Sequence, residues 1–350
     1  MVTMLMPPPP SLHIGLVLSD LLSFHSLTIE VGSQDSVGYS LHYDSMSRLN
    51  FMRQLSESYR LLTERMNATV MLGFNKVGEN TWPNVMAMLT GREAVTEPCD
   101  VTKSGWPFIW NEFREAGAAT MYAEDLPEFN MFDYLASGIK EQPTLHYMRT
   151  FWLAVEASFL YKTSATYCLG PTPKHIIFFD YLLSFLRAYK DSPVFIFSLF
   201  NELSHDYVNT ALDGDLSALL RTGLEEGLFN RSVVIVLGDH GNRIDPIRVT
   251  FVGRIEDRMP MVSVVVPEWF PRVYPEWKTR LARNRKRFAA SHDLFATFRD
   301  VLSVENRVPL YRKSRQCESI SDWFPYFRIF FFCRFNGLYL SSQRSTANYR

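Results

Sequence analysis

Val233-Val234-Ile235-Val236-Leu237-Gly238-Asp239-His240-Gly241 decides the fold. An unbroken apolar run, rich in β-branched residues, reads as a strand covered on both faces, as in a parallel sheet sandwiched by helices. Val194-Phe195-Ile196-Phe197-Ser198-Leu199-Phe200 is a second such run, and Asp215 to Glu226 between them has helical spacing. Strand, helix and strand make a βαβ unit, so the expected class is α/β with a mainly parallel central sheet. Ligands in such sheets bind outside the carboxyl ends of the strands. Asn201 to Asp206 and Gly238 to Arg243 therefore fall where chemistry is expected.

Upstream, Phe51 to Met66 reads as one helix. Thr81-Trp82-Pro83-Asn84 reads as a helix entry with proline in the first turn, continuing through Val85 to Leu89 and stopping at Gly91. Phe108 to Ala116 is a further helix ended by Gly117, Ala119 to Ala123 a short strand, and Ile176 to Ala188 a helix rich in Phe and Leu. Residues 36–302 make the expected domain, flanked by a poorly defined segment 1–35 and an atypical segment 303–350. The start lacks a clear signal peptide, and the apolar runs Leu12–Leu22 and Trp323–Phe335 are too short and too interrupted to span a membrane.

The formal net charge of -1 over 350 residues gives no broad basic field, which disfavours nucleic acid as a partner. Cys99, Cys168, Cys317 and Cys333 form no C-x-x-C pair, which disfavours a structural zinc site; Cys99 and Cys168 are free to pair in an oxidising compartment. Sequons at Asn67-Ala68-Thr69 and Asn230-Arg231-Ser232 suit an extracellular or secretory-pathway protein. Oligomeric state has no signature in the sequence.

Four clusters carry chemistry. Asp239 and His240 at a strand end can both reach one cation, although the triplet also reads as a turn with a capping aspartate. Thr81 at a helix N-terminus sits among free N–H groups that favour an anion, although it also reads as an N-cap. Asp44 in Tyr43-Asp44-Ser45-Met46-Ser47-Arg48 follows a short strand and serves equally as a metal ligand or a surface turn. Asn201-Glu202-Leu203-Ser204-His205-Asp206 offers His205 to a metal or a substrate anion, against an ordinary structural histidine.

In this order, these pieces resemble the alkaline-phosphatase/sulfatase superfamily. The chain is most similar to its family called domain of unknown function 229, through Asp44 to Arg48, Gly73 to Gly78, Asn80-Thr81, Trp106 to Trp110, Tyr122 to Asp125, Leu203 to Asp206, Asp239 to Gly241 and Gly253 to Pro260. The resemblance implies a three-layer α/β/α domain with Asp44, Asp239, His240 and Thr81 around one divalent metal, zinc first and calcium or magnesium as alternatives. It implies Thr81 as nucleophile, Asn80 as a phosphoryl contact, and a metal-dependent hydrolase of phosphate esters. A second metal or a substrate anion would fall to His205, Asn201, Glu202 and His292; Asn201 stands where two-metal relatives carry aspartate, which weakens that site. Threonine cannot become formylglycine, so sulfatase chemistry is disfavoured. The competing class is a non-catalytic secreted binding protein that keeps the fold.

Overall fold

The computed structural model describes residues 37–93, 106–134, 138–139, 141–206, 209–273 and 275–306. Cys99, Cys317, Cys333 and both terminal apolar runs lie outside them; Cys168 is a free thiol. Among the described residues nine strands occur in chain order: β1 (Val37–Tyr43), β2 (Thr69–Val70), β3 (Ala119–Glu124), β4 (His146–Tyr147), β5 (Cys168–Leu169), β6 (Thr172–Pro173), β7 (Val194–Phe200), β8 (Ser232–Gly238) and β9 (Val262–Val265). Seven of them form one sheet in the order β2-β9-β8-β1-β7-β3-β4, and β5 and β6 form a separate hairpin. The run β8-β1-β7-β3-β4 is parallel; β9 is antiparallel to both its neighbours.

Alternation along the central strands splits the core into two layers. Phe195, Phe197 and Leu199 of β7 and Val233, Ile235 and Leu237 of β8 face the helices Thr81–Thr90, Ile109–Glu115 and Ser291–Asn306. Val194, Ile196, Val234 and Val236 face the helices Lys174–Ala188 and Asp213–Glu225 on the other side. The three-layer α/β/α architecture with a mainly parallel sheet is thus observed. Two-sided burial explains why β7 and β8 carry uninterrupted apolar sequence.

Register matters most for the site. Tyr43 pairs with Phe200 on one side and with Gly238 on the other, so β1, β7 and β8 end at one level. The next residues are Asp44, Asn201 and Asp239, side by side at the carboxyl edge.

One element departs from expectation. The stretch read as a single helix from Phe51 to Met66 is broken: helices Arg48–Gln54 and Ser56–Arg60 meet at Leu55, and a π-helical turn Leu61–Arg65 follows. Leu55 leaves helical geometry (φ -116, ψ 50) to bury its side chain. Asp213 then caps the second helix, accepting from the Glu57 and Ser58 amides at 2.8 Å each.

Candidate metal centre

β1 delivers Asp44 and β8 delivers Asp239 and His240, all buried. Close approach of the backbone makes this possible. A side chain at Gly238 would sit 2.3 Å from the Met46 oxygen, and one at Gly241 would sit 2.1 Å from the Glu256 oxygen. Ser45 adopts the left-handed region (φ 55), a strained conformation for a non-glycine residue. That turn aims the Ser45 amide at Asp239 Oδ1 (3.1 Å), and the His240 amide donates to the same oxygen at 2.8 Å.

Asp44, Asp239 and His240 each offer a ligand atom, and the three atoms lie within 4.8 Å of one another. His240 Nε2 is 3.6 Å from Asp44 Oδ1 and 3.4 Å from Asp239 Oδ2. His240 Nδ1 lies 2.7 Å from the Gly241 carbonyl, which can only accept, so Nδ1 carries the proton and Nε2 keeps its lone pair. Buried Asp239 Oδ2 and His240 Nε2 have no hydrogen-bond partner. Buried polar atoms are ordinarily paired, and a carboxylate oxygen facing an imidazole lone pair is the donor set a cation would satisfy. The residues therefore fit a divalent metal.

The two carboxyls respond oppositely to crowding. Burial, helped by the charge of Asp239, raises the pKa of Asp44. Burial also acts to raise Asp239, but the neighbouring His240 and His42 imidazoles and the Thr81 hydroxyl together hold it well below the usual carboxylate range. A cation between them would relieve this repulsion.

Thr81 enters from the helix Thr81–Thr90, where Asn80 rather than Thr81 is the N-cap residue. The capping reading of Thr81 is therefore corrected. Its hydroxyl donates to Asp44 Oδ1 at 2.9 Å. Asn80 is exposed and its side chain makes no capping bond. Buried Asn84 fixes the entry: its Oδ1 accepts from the Val77 and Gly78 amides (2.7 and 3.2 Å), and its Nδ2 donates to the Gly78 and Asn80 carbonyls (3.0 and 2.7 Å).

Of the residues assigned to a second metal or a substrate anion, Asn201 and Glu202 are bonded elsewhere. The Asn201 amide side chain donates to Glu124 at 2.9 Å, and Glu202 is paired with fully buried Lys174 at 2.6 Å. His205 is partly exposed and stacks on Phe129, yet its charge still reaches Asp44. His292 opens the helix Ser291–Asn306 and feels the charge of Glu93. That places it beside the far end of the Thr81 helix, where Gly91 abuts Phe295. The helix between them spans about 15 Å, so His292 stands well away from Asp44.

Sequence reasoning missed His42. It lies on β1 facing the Thr81 side of the sheet, is buried, and has both ring nitrogens unpaired, with Nε2 3.7 Å from Asp239 Oδ1. A histidine two residues before the strand-end aspartate is the signal, since the strand period returns it to the same face. Gly253 to Pro260 also acquires a role. Its Glu256 accepts from Ser47 and Arg53, and its Asp257 pairs with Lys76 at 2.7 Å, tying the Asp44 and Thr81 loops together.

The fold is that of an alkaline-phosphatase-like α/β/α domain. The family described as "Protein of unknown function (DUF229)" matches residues 38–322, and the chain belongs to it. A search of curated proteins finds no match to the chain. Among solved structures, the chain is similar to the C-terminal periplasmic domain of EcEptC from Escherichia coli, with TM-score 0.53, 12% identity, and 85% of this chain and 89% of that one covered. The same domain in complex with Zn gives TM-score 0.51 at 12% identity, covering 84% and 92%. A protein in the alkaline phosphatase superfamily from Vibrio parahaemolyticus gives 0.54 at 13% identity, covering 84% and 71%.

Proposed function

We propose that the chain is a metal-dependent phosphoesterase with Thr81 as nucleophile. The observation that carries this reading is the Thr81 hydroxyl, at the first position of a helix, 2.9 Å from Asp44 Oδ1. Asp44, Asp239 and His240 would hold the cation and Thr81 Oγ1 would complete the shell. A divalent cation bound there lowers the hydroxyl pKa and polarises a non-bridging ester oxygen. A nitrogen, two carboxylates and a hydroxyl suit four-coordinate zinc better than calcium or magnesium, which favour six or more oxygens.

Thr81 Oγ1 attacks phosphorus, forming the Oγ1–P bond as the bond to the ester oxygen breaks. The hydroxyl proton passes to Asp44 Oδ1, its present acceptor, which returns it to Thr81 Oγ1 when the phosphothreonine is hydrolysed; the departing alkoxide leaves in line on the opposite side and takes its proton from solvent. Free N–H groups of the helix N-terminus and the unbonded amide of Asn80 face the phosphoryl oxygens. Water then attacks the phosphothreonine, releasing phosphate and restoring the hydroxyl. His205, with Asn201 and Glu202 bonded elsewhere, serves a substrate anion rather than a second metal. The exposed sequon residues Asn67 and Asn230 support an extracellular or secretory-pathway location.

Metal analysis of the purified protein, followed by phosphomonoesters and phosphodiesters offered to wild type, Thr81→Ser and Thr81→Ala, tests this. Turnover in wild type and Thr81→Ser, with a loss on the order of a thousandfold in Thr81→Ala, is expected. Metal-loaded wild type without turnover across the panel would instead support the non-catalytic binding protein.

A further inference from the structure

Immediately beyond Asp239-His240-Gly241, the chain displays Ile244, Ile247, Val249, Phe251, Val252 and Ile255 to solvent. Val249 and Phe251 are 75% and 79% exposed. Scattered exposed apolar residues need no explanation, but six within twelve residues do. Nor is this a slack loop. Asp245 caps the turn Pro246–Val249, accepting from the Ile247 amide at 3.0 Å, and Thr250 caps the helix Phe251–Arg258, accepting from the Gly253 amide at 3.0 Å. The helix buries Gly253 and Asp257 and turns its apolar side outward.

The element is fastened to both halves of the candidate site. Arg248 donates to Glu79 at 2.5 Å, two residues before Thr81, and the Gly241 amide donates to the Asp257 carbonyl at 2.9 Å. The outward charge is mixed: Arg248, Arg254 and Arg258 stand against exposed Asp245 and Glu79, and Arg248 is paired with Glu79. Glu256 and Asp257 are engaged by Arg53 and Lys76; Arg254 and Arg258 are exposed and donate to backbone carbonyls, and Arg258 also lies 3.8 Å from Asp257. Apolar side chains flanked by arginines match the interface of an anionic lipid surface, where tails accept the apolar groups and headgroups the guanidiniums.

We infer that residues 244–255 dock the domain on an anionic lipid surface and present phosphate esters embedded there to Thr81. The choice of substrate rests on the reading of Thr81 as nucleophile; the docking does not. Vesicles of phosphatidylcholine, alone and mixed with phosphatidylglycerol, test it by co-sedimentation of wild type, Val249→Ser/Phe251→Ser and Thr81→Ala, with thermal unfolding confirming that each is folded. Wild type and Thr81→Ala should bind the mixed vesicles equally, binding should fall with added salt, and the double variant should bind about tenfold more weakly or worse. Absent wild-type binding, or equal binding by the double variant, would overturn the inference. So would a wild-type dimer that the double variant dissolves, because a second copy would then be the occupant. Vesicle binding without ester turnover by wild type would keep the docking and remove the nucleophile.

Discussion

Glu124→Gln should flatten the dependence of stability on pH. Glu124 ends β3 fully buried, taking hydrogen bonds from Tyr122, from the Met131 amide at 2.9 Å and from Asn201 at 2.9 Å. Burial is the largest influence and outweighs those bonds, pushing the carboxyl from its ordinary 4.5 up to about 8. The folded chain therefore keeps a proton that the unfolded chain has released between these two values. Stability falls as pH rises through that window, by about 1.4 kcal/mol per pH unit for one group. Glutamine has no such proton and keeps an acceptor for Met131 and Asn201. Asp125, raised to about 7 mainly by burial, contributes the same slope to both proteins and cancels in the difference. Urea unfolding at about pH 5 and about pH 7 should show the stability of the variant gaining about 2–3 kcal/mol on wild type between the two conditions. Parallel curves would show that Glu124 is ionised in the folded chain and refute the reasoning.

Asn84→Ala removes four hydrogen bonds from a buried position and should cost about 2–4 kcal/mol in urea unfolding, with kcat falling because the Thr81 entry loses its tether. His42→Ala should weaken zinc binding about tenfold or more in a direct titration, because His42 helps hold Asp239 beside His240. Asp44→Asn removes the repulsion between two buried carboxyls, so after chelator treatment it should unfold at or above the wild-type temperature; added zinc should raise the melting temperature of wild type and not of the variant.

The sheet was legible because β7 and β8 are buried on both faces, and burial on both faces writes itself as unbroken apolar sequence. β1 was legible only as a short strand before Asp44. Its inner face is Gly38, Ser40 and His42, and its central position depends on hydrogen bonds to β7 and β8, many residues away. The break at Leu55 depends on Asp213, likewise invisible locally. For the site, strand ends drew attention to Asp44, Asp239 and His240, and the structure brings these together with Thr81. His42 escaped notice, and Asn84 and Lys76 stood only as members of motifs without a role, because each acts through a partner set by tertiary packing. His292 attracted attention by chain order, but the length of the Thr81 helix separates it from the centre.

Isolation of a covalent phosphothreonine tests the account most directly. Metal-loaded protein would be mixed with a turned-over phosphate ester, quenched in acid and digested, and the peptide containing Thr81 weighed by mass spectrometry. The account predicts phosphate on Thr81 that appears within one turnover, decays as substrate is exhausted, and is absent from Thr81→Ala. Turnover with Thr81 never phosphorylated, or undiminished turnover in Thr81→Ala, would contradict it.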